Sequence, residues 1–147
     1  MRVTRALALP IAALALAACA DPTAPASISS SLTTSTVATS EGMSVATFSS
    51  SGSTLTVTRT FTDGQGCGAA FTVDPEVRPP NMSILVTTTT AGTACPAGQN
   101  AQYVVTINNV PAGRYAPVRL SEKPSVDGEA NLVVLTSVNI SSTPTLQ

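Results

Sequence analysis

Residues 54–62 read TLTVTRTFT, and this stretch decides the fold class of the chain. Apolar and polar residues alternate along it, so Leu55, Val57 and Phe61 share one face of an extended strand while the threonines line the other. An Asp-Gly pair, a typical turn sequence, follows immediately. The stretch therefore predicts a half-buried β-strand that ends in a turn.

Similar short runs of β-branched residues recur along the chain and are separated by turn residues. They predict further strands at residues 69–73, 82–90, 103–107, 114–120 and 132–140, with another at 43–48. Asp74-Pro75 is expected to end the 69–73 strand, and Pro117 makes the 114–120 strand an edge or bulged strand. Because no helical crossover is present, we expect antiparallel pairing. The pattern predicts an all-β chain, with a single antiparallel β-sandwich of about seven strands.

The composition excludes several classes of function. The chain of 147 residues is 43% hydrophobic but only 10% charged, and it contains no His and no Trp. Without His there can be no Ser-His-Asp triad, no Cys-His pair and no His-ligated metal. We therefore expect a protein that is not an enzyme and that carries no metal and no cofactor.

The N-terminus has the pattern of a secretory leader. Residues 1–5 are cationic, and residues 6–18 are an apolar run shorter than the roughly 20 residues that span a bilayer. The run ends in Leu16-Ala17-Ala18-Cys19, which resembles the lipobox of bacterial lipoproteins. The resemblance implies a signal peptide at 1–18 and a diacylglycerol on the Cys19 thiol, which becomes the first mature residue. The alternative is ordinary secretory cleavage after Ala20, because Ala18-Cys19-Ala20 also has an A-x-A form.

The lipobox resemblance also implies a location and a partner. The chain would be lipid-anchored in a bacterial cell envelope, with the membrane as its first partner. In well-studied lipoproteins an Asp directly after the cysteine marks retention in the inner membrane; Ala20 stands there, which favours the outer membrane. Removing Arg2 and Arg5 with the leader leaves five positive against eight negative charges, a net charge of −3. A weakly acidic surface does not favour nucleic acid as a partner.

A segment rich in Ser, Thr, Ala and Pro follows the lipobox. Residues 19–41 bury too little apolar surface to offset the entropy of ordering, so we predict a flexible tether there and place the β-sandwich domain at 42–147. The alternative is a poorly marked first strand at 35–39. As a tether, the segment would hold the domain away from the membrane.

One local motif supports the fold class. Residues 110–115 read VPAGRY and resemble the P-A-G-x-Y turn of transthyretin-like and fibronectin-type modules. The resemblance implies that Tyr115 enters the next strand and that its hydroxyl bonds back to the preceding loop. An Ig-like sandwich fits the same pattern, although the core Trp of antibody-type domains is absent.

Two cysteines remain once Cys19 is lipidated or removed. Cys67 and Cys95 are an even count in an oxidising compartment, which predicts a disulfide between them. Both lie in turn-like surroundings, so the bond is expected to join two loops or strand ends. A redox or metal pair is the alternative, but the spacing is unlike C-x-x-C and no His is available.

Three other groups of residues are candidates for a catalytic or metal-binding role. Asp74 and Glu76 could be the paired carboxylates of a glycosidase, but we expect them to be solvated. Asp127 and Glu129 could contribute to a calcium site, although a turn explains them better. The 121–123 triplet (Ser-Glu-Lys) does not have the S-x-x-K spacing of serine acyl enzymes.

These observations leave two hypotheses from different classes. The first is an envelope lipoprotein whose domain is a non-enzymatic binding or structural module for an envelope partner. The second is a small secreted hydrolase or enzyme-inhibitor domain with an unfamiliar site. The absence of His, Trp and charge clusters favours the first. The sequence does not specify the partner or the oligomeric state.

Overall fold

The computed structural model describes residues 27–41 and 43–142, and every regular element in these ranges is a β-strand. The eight strands are β1 (Ser29–Ala38), β2 (Ala46–Ser51), β3 (Thr54–Thr60), β4 (Ala70–Arg78), β5 (Asn81–Thr90), β6 (Gln99–Asn108), β7 (Gly113–Lys123) and β8 (Asn131–Ile140). The stretch at 54–62 forms β3, in which Leu55 and Val57 are fully buried. The all-β class is confirmed, with eight strands rather than about seven.

The strands form two four-stranded sheets that pack face to face as a β-sandwich. The first sheet has the order β1-β6-β3-β2 and the second the order β4-β5-β7-β8. At one side of the sandwich β1 lies against β4, and at the other β2 lies against β8. The inward faces supply the apolar core, whose buried members are Leu55, Val57, Met82, Ile84, Val86, Tyr103, Val105, Ile107, Val110, Tyr115, Val118, Leu120 and Ile140.

One strand pair departs from the antiparallel arrangement. β5 and β7 run parallel, with Met82 beside Val118 and Thr87 beside Lys123. The expectation of purely antiparallel pairing is therefore wrong at this pair. A parallel pair needs a crossover of a dozen or more residues, which is usually a helix. Here β6 is the crossover, because the chain leaves β5, crosses through the first sheet as β6 and returns to the second sheet as β7.

The predicted tether is wrong over much of its length, because residues 29–38 of it form β1. This strand pairs with β6 in an unbroken register of ten residues. Only Leu32 and Val37 are half-buried, and the other side chains of β1 are exposed. Main-chain hydrogen bonds therefore hold the strand, and these leave no hydrophobic pattern in the sequence. The alternative strand at 35–39 was placed correctly but was too short.

Two prolines lie inside strands, and each has a different consequence. The expectation that Asp74-Pro75 ends a strand is wrong, because β4 continues through Pro75 to Arg78. β4 is an edge strand, where a missing N–H is tolerated. Pro117 lies in β7, which is not an edge strand. There the pairing with β8 shifts between Tyr115 and Val118, which is the predicted bulge.

The turn before β7 behaves as its resemblance to sandwich modules implies. Tyr115 is buried in β7, and its hydroxyl donates a hydrogen bond of 2.9 Å to the carbonyl oxygen of Pro111. Burial raises the pKa of this hydroxyl above its ordinary value. The tyrosine therefore fixes the β6–β7 loop against the core.

The sandwich has two ends that differ in what they carry. The lower end holds the start of β1, the end of β8, the β2–β3 and β4–β5 turns and the β6–β7 loop. There the Asn109 side-chain amide donates to the Ser27 carbonyl oxygen at 2.9 Å. The upper end holds the loops at 61–69, 91–98 and 124–130 and the described residues 39–41 and 43–45 between β1 and β2.

Candidate functional site

The predicted lipidation site is not among the residues that the structure describes. Residues 1–18 and 20–26 also lie outside them, as does Cys19 itself. Residue 27 is the first described residue and lies at the lower end of the sandwich. Any anchor at Cys19 is therefore joined to the sandwich at that end.

Cys67 and Cys95 form a disulfide at the upper end, with their Cα atoms 5.1 Å apart. The bond joins the 61–69 and 91–98 loops, as the turn-like surroundings of the cysteines predicted. Backbone bonds reinforce the junction, because Cys67 and Thr93 exchange N–H···O bonds of 3.1 and 2.9 Å. The bond closes a loop with a sequence separation of 28, which stabilises the fold by about 3–4 kcal/mol in the chain-entropy model.

The two loops approach so closely that one position requires glycine. A Cβ atom at Gly92 would lie 2.5 Å from the carbonyl carbon of Gly66, a distance too short for any side chain at this position. The clash is with backbone and could not be relieved by a side-chain rotation. The 61–69 and 91–98 loops therefore form a cross-linked cap at the upper end.

A charged group lies between the two sheets beneath this cap. The Arg59 Nε of β3 donates to Glu122 Oε1 of β7 at 3.1 Å, and the hydroxyl of Tyr103 on β6 donates to the same oxygen at 2.6 Å. The arginine and glutamate side chains are only 14% and 22% exposed. Arg59 also donates to the carbonyl oxygens of Thr60 and Val45 at 2.6 and 3.3 Å.

The surroundings of Tyr103 suppress its ionisation. Burial of the hydroxyl, followed by the nearby negative charge of Glu122 and its hydrogen bond to that carboxylate, raises the Tyr103 pKa far above its ordinary value. The Arg59 guanidinium acts in the opposite direction with a smaller effect. The phenol therefore stays neutral and serves as a hydrogen-bond donor. The opposite charges of Arg59 and Glu122 neutralise each other within this group.

This ion pair was not predicted from the sequence, although the alternation of residues along the two strands contains a signal for it. Arg59 lies between Val57 and Phe61 on the inward face of β3, and Glu122 continues the inward face of Leu120. A charged residue at an inward position indicates a buried partner. The partner could not be identified, because the pairing needs the two sheets to be stacked.

Aromatic rings surround the ion pair and leave a small cavity beside it. The ring centroid of Phe71 lies 6.0 Å from that of Phe61 and 5.2 Å from that of Tyr103, and the Arg59 guanidinium lies 4.6 Å from the Phe61 centroid. A cavity of about 250 Å³ opens between the sheets here and also reaches Lys123. The Lys123 ammonium already has a hydrogen-bond partner, because it donates to the Val126 carbonyl oxygen at 2.9 Å.

The structure does not assemble the candidate carboxylates into a catalytic pair. Asp74 and Glu76 lie two residues apart on the exposed, outward face of β4. Glu76 accepts a hydrogen bond of 2.7 Å from Arg78, and both side chains are more than half exposed. No aromatic side chain lines the cavity beside Glu76. The pair thus lacks the enclosed sugar-binding cleft that glycoside hydrolysis needs.

The other candidate groups also lie apart from one another. Asp127 and Glu129 are exposed in the 124–130 loop. Of the triplet at 121–123, Glu122 faces inward to the ion pair. Within residues 27–41 and 43–142, no three His, Cys, Asp or Glu side chains come together as a group that could hold a metal ion.

The outward face of the second sheet carries a shallow cationic cleft near the lower end. Its volume is about 310 Å³, and its walls come from β4, β5 and β7. The lining residues are Glu76, Arg78, Asn81, Met82, Ser83, Pro117 and Arg119. The two arginines and one glutamate give the cleft a net positive charge.

The outward face of the first sheet has a contrasting chemistry, because it carries no charge. Its side chains are mainly hydroxyls, with Thr33, Thr47 and Thr58 in one row that Val104 completes. A second row runs from Ser31 through Thr106 and Thr56 to Ser49. The charged surface of the sandwich is therefore confined to the second sheet and to the loops.

No helix among the described residues is long and apolar enough to cross a membrane. Comparisons with protein families, with curated proteins and with solved structures found no match to this chain.

Proposed function

We propose that this chain is a lipid-anchored lipoprotein of the bacterial cell envelope and that its β-sandwich is a non-enzymatic binding or structural module. The observation that carries the anchoring is the Leu16-Ala17-Ala18-Cys19 sequence at the end of an apolar run of signal-peptide length. With two or more acyl chains on Cys19, attachment would be stable, since each buried methylene contributes about 0.8 kcal/mol. Ala20 after the cysteine favours the outer membrane.

The fold supports this arrangement because the sandwich is complete without the N-terminal segment. All eight strands, the core and the disulfide lie between residues 29 and 140. Only eight peptide units join Cys19 to Ser27, and fully extended they reach at most about 30 Å. The anchor would therefore hold the lower end of the sandwich close to the lipid.

The site geometry supports a module that binds rather than one that catalyses. The inward charges of Arg59 and Glu122 neutralise each other, and the Tyr103 phenol is held neutral. The outward carboxylate of Glu76 is paired with Arg78 on an open face. The partners that fit such a module are the membrane and an envelope protein, with recognition by exposed strand faces rather than by a deep pocket.

The experiment that tests the anchoring is metabolic labelling of the full-length chain with a palmitate analogue, followed by separation of inner and outer membranes. We expect label on the wild-type chain in the outer-membrane fraction, and none on Cys19→Ala. The matched control replaces both Cys67 and Cys95 with Ser and should retain the label. Label that survives in Cys19→Ala, or an unmodified polypeptide beginning at Asp21 in the culture medium, contradicts the proposal.

A further inference from the structure

The exposed cations of the sandwich are confined to one sheet. Five Lys and Arg side chains lie within the described ranges, and one of them, Arg59, is buried in the ion pair with Glu122. The other four all lie on the second sheet: Arg78 on β4 and Arg114, Arg119 and Lys123 on β7. The second sheet is thus the only described part of the chain that presents positive charge to a partner.

The charges are also separated along the length of the sandwich. The loops of the upper end carry four acidic residues, Glu41, Asp63, Asp127 and Glu129. The turns of the lower end, at 52–53, 79–80 and 109–112, carry no charged residue, and Arg78 and Arg114 lie on the strand ends that adjoin two of them. An anionic surface would therefore attract the lower end and repel the upper end.

The cationic cleft lies toward this lower end and has donors that suit a phosphate group. Arg78 begins the β4–β5 turn, and the Ala116 N–H donates to the Pro80 carbonyl oxygen at 2.8 Å, which ties that turn to β7. Ser83 lies directly beside Arg119 in the register of β5 and β7. Arginine with neighbouring hydroxyl and amide donors is a favourable environment for phosphate oxygens.

Of the two arginines in the cleft, Arg119 is the one whose guanidinium has no partner among the described residues. Arg78 is paired with Glu76, whereas Arg119 makes no side-chain hydrogen bond or ion pair with any described residue. On its other side Arg119 lies opposite Leu135 of β8, an exposed leucine at 56% exposure. A free guanidinium beside an exposed apolar side chain is the combination that suits the boundary between lipid headgroups and acyl chains.

We propose that the cleft formed by Arg78, Asn81, Ser83 and Arg119 binds the phosphate groups of the anionic phospholipid surface to which the chain is anchored. This inference rests on the proposed anchoring, because the lower end is brought to the membrane by Cys19. The lipid anchor supplies the attachment, and the cleft sets the orientation. The sandwich would stand with its disulfide-linked upper end turned away from the membrane and exposed to other envelope components.

The experiment measures sedimentation of the unlipidated chain from Asp21 onward with lipid vesicles. This chain keeps every described residue, and hence the whole core and the disulfide. The vesicles contain either a mixture of phosphatidylglycerol and phosphatidylcholine or phosphatidylcholine alone. We expect binding to the anionic vesicles only, weakened by added salt because the contact is electrostatic.

The variants separate the cleft from overall charge. Each basic residue near an anionic membrane contributes about a fivefold change in binding, so Arg119→Gln should weaken binding by about fivefold and Arg78→Gln with Arg119→Gln by about 25-fold. The matched control is Lys123→Gln, which removes one positive charge from the same strand as Arg119 but at the upper end. It should leave binding within about twofold of wild type.

Hydrogen exchange of the wild-type chain provides a readout that needs no variant. Addition of anionic vesicles should slow exchange in residues 78–83 and 116–119 and leave 124–130 unchanged. Equal loss of binding in the cleft variant and in Lys123→Gln, or protection of 124–130 instead, overturns the proposal. Full competition by millimolar inorganic phosphate also overturns it, because the cleft would then be a site for a soluble anion.

The two proposals can fail separately. Palmitate label on Cys19 with no preference for anionic vesicles would leave the anchoring intact and remove the cleft. Preference for anionic vesicles without label on Cys19 would leave the cleft as a membrane contact of a secreted protein and remove the anchoring.

Discussion

Glu122 is the residue on which the charged group between the sheets depends. Its carboxylate accepts hydrogen bonds from both Arg59 and Tyr103, so its loss would leave a guanidinium and a phenol without their main acceptor. Removal of one partner of a buried ion pair is costly, because the remaining charge stays desolvated. The three side chains come from β7, β3 and β6, and the group therefore joins the two sheets.

We predict that Glu122→Ala lowers the free energy of unfolding by about 2–4 kcal/mol. Urea denaturation monitored by circular dichroism measures the change. The matched control is Glu76→Ala, which removes an exposed carboxylate from an ion pair and should cost less than about 1 kcal/mol. Similar losses in the two variants would show that the inward pair adds nothing beyond an exposed one.

Tyr103 makes stability depend on pH in the alkaline range. Its pKa is raised by burial and by Glu122, whereas a tyrosine in the unfolded chain ionises near its ordinary value of 10.0. The folded state thus retains a proton that the unfolded state releases, so stability is complete below pH 10 and is lost as pH rises beyond it.

We predict that above about pH 10 the free energy of unfolding falls by up to about 1.4 kcal/mol per pH unit for this tyrosine. Urea titrations at a series of pH values from about 8 to 11 test the slope. Tyr103→Phe should have a shallower slope than wild type. An identical slope in both proteins would assign the effect to other groups.

At the scale of the element, β1 is held by its backbone. The Thr39 N–H donates to the Gly98 carbonyl oxygen at 2.9 Å, and from there successive N–H groups of β1 point alternately toward β6 and away from it. On this alternation the Thr33 N–H points toward Val104 of β6, whereas the Thr34 N–H points away from β6.

We predict that Thr33→Pro lowers the free energy of unfolding by about 1–3 kcal/mol and speeds hydrogen exchange of the amides of β6. Thr34→Pro is the matched control and should have the smaller effect, since its N–H makes no ladder bond. Urea denaturation and hydrogen exchange measure both variants. If β1 is a tether in solution, the two variants will be indistinguishable.

The strands that the sequence predicts are those whose burial alternates. β3 follows this rule, because Leu55 and Val57 must face a core for the segment to be stable. β1 was recognised only in part, as the alternative strand at 35–39. Its stability comes from main-chain bonds to a strand distant in sequence, where Ser29 pairs with Asn108, rather than from its own side chains. The position of Pro75 within a strand could not be predicted for a similar reason. A proline is tolerated in an edge strand, and only the strand order shows that β4 is an edge.

The disulfide could be predicted from the sequence, but the grouping of charged residues from different strands could not. The disulfide followed from the cysteine count and the compartment. The cationic cleft did not follow, because Arg78 and Arg119 come together only through the parallel pairing of β5 with β7. Tertiary contacts of this kind depend on strand order, which no local pattern encodes.

For the whole molecule, the separation of surfaces is the property that matters. In the part of the chain that the structure describes, one outward face is an uncharged array of hydroxyls and the other carries the exposed cations. The acidic loops gather at the end closed by the disulfide. Anchored at Cys19 as proposed, a protein built this way would have a defined direction on the membrane. The hydroxyl face and the upper end would then be the surfaces available to an envelope partner.

The crossing of β6 through the opposite sheet constrains how the chain can reach this state. β5 and β7 are paired neighbours, but β6 lies between them along the chain and belongs to the other sheet. The second sheet therefore closes through contacts that are distant in sequence, and we expect the slow folding that accompanies such contacts. Because β7 and β8 come last along the chain, a polypeptide that is still emerging cannot complete this sheet until both strands are available.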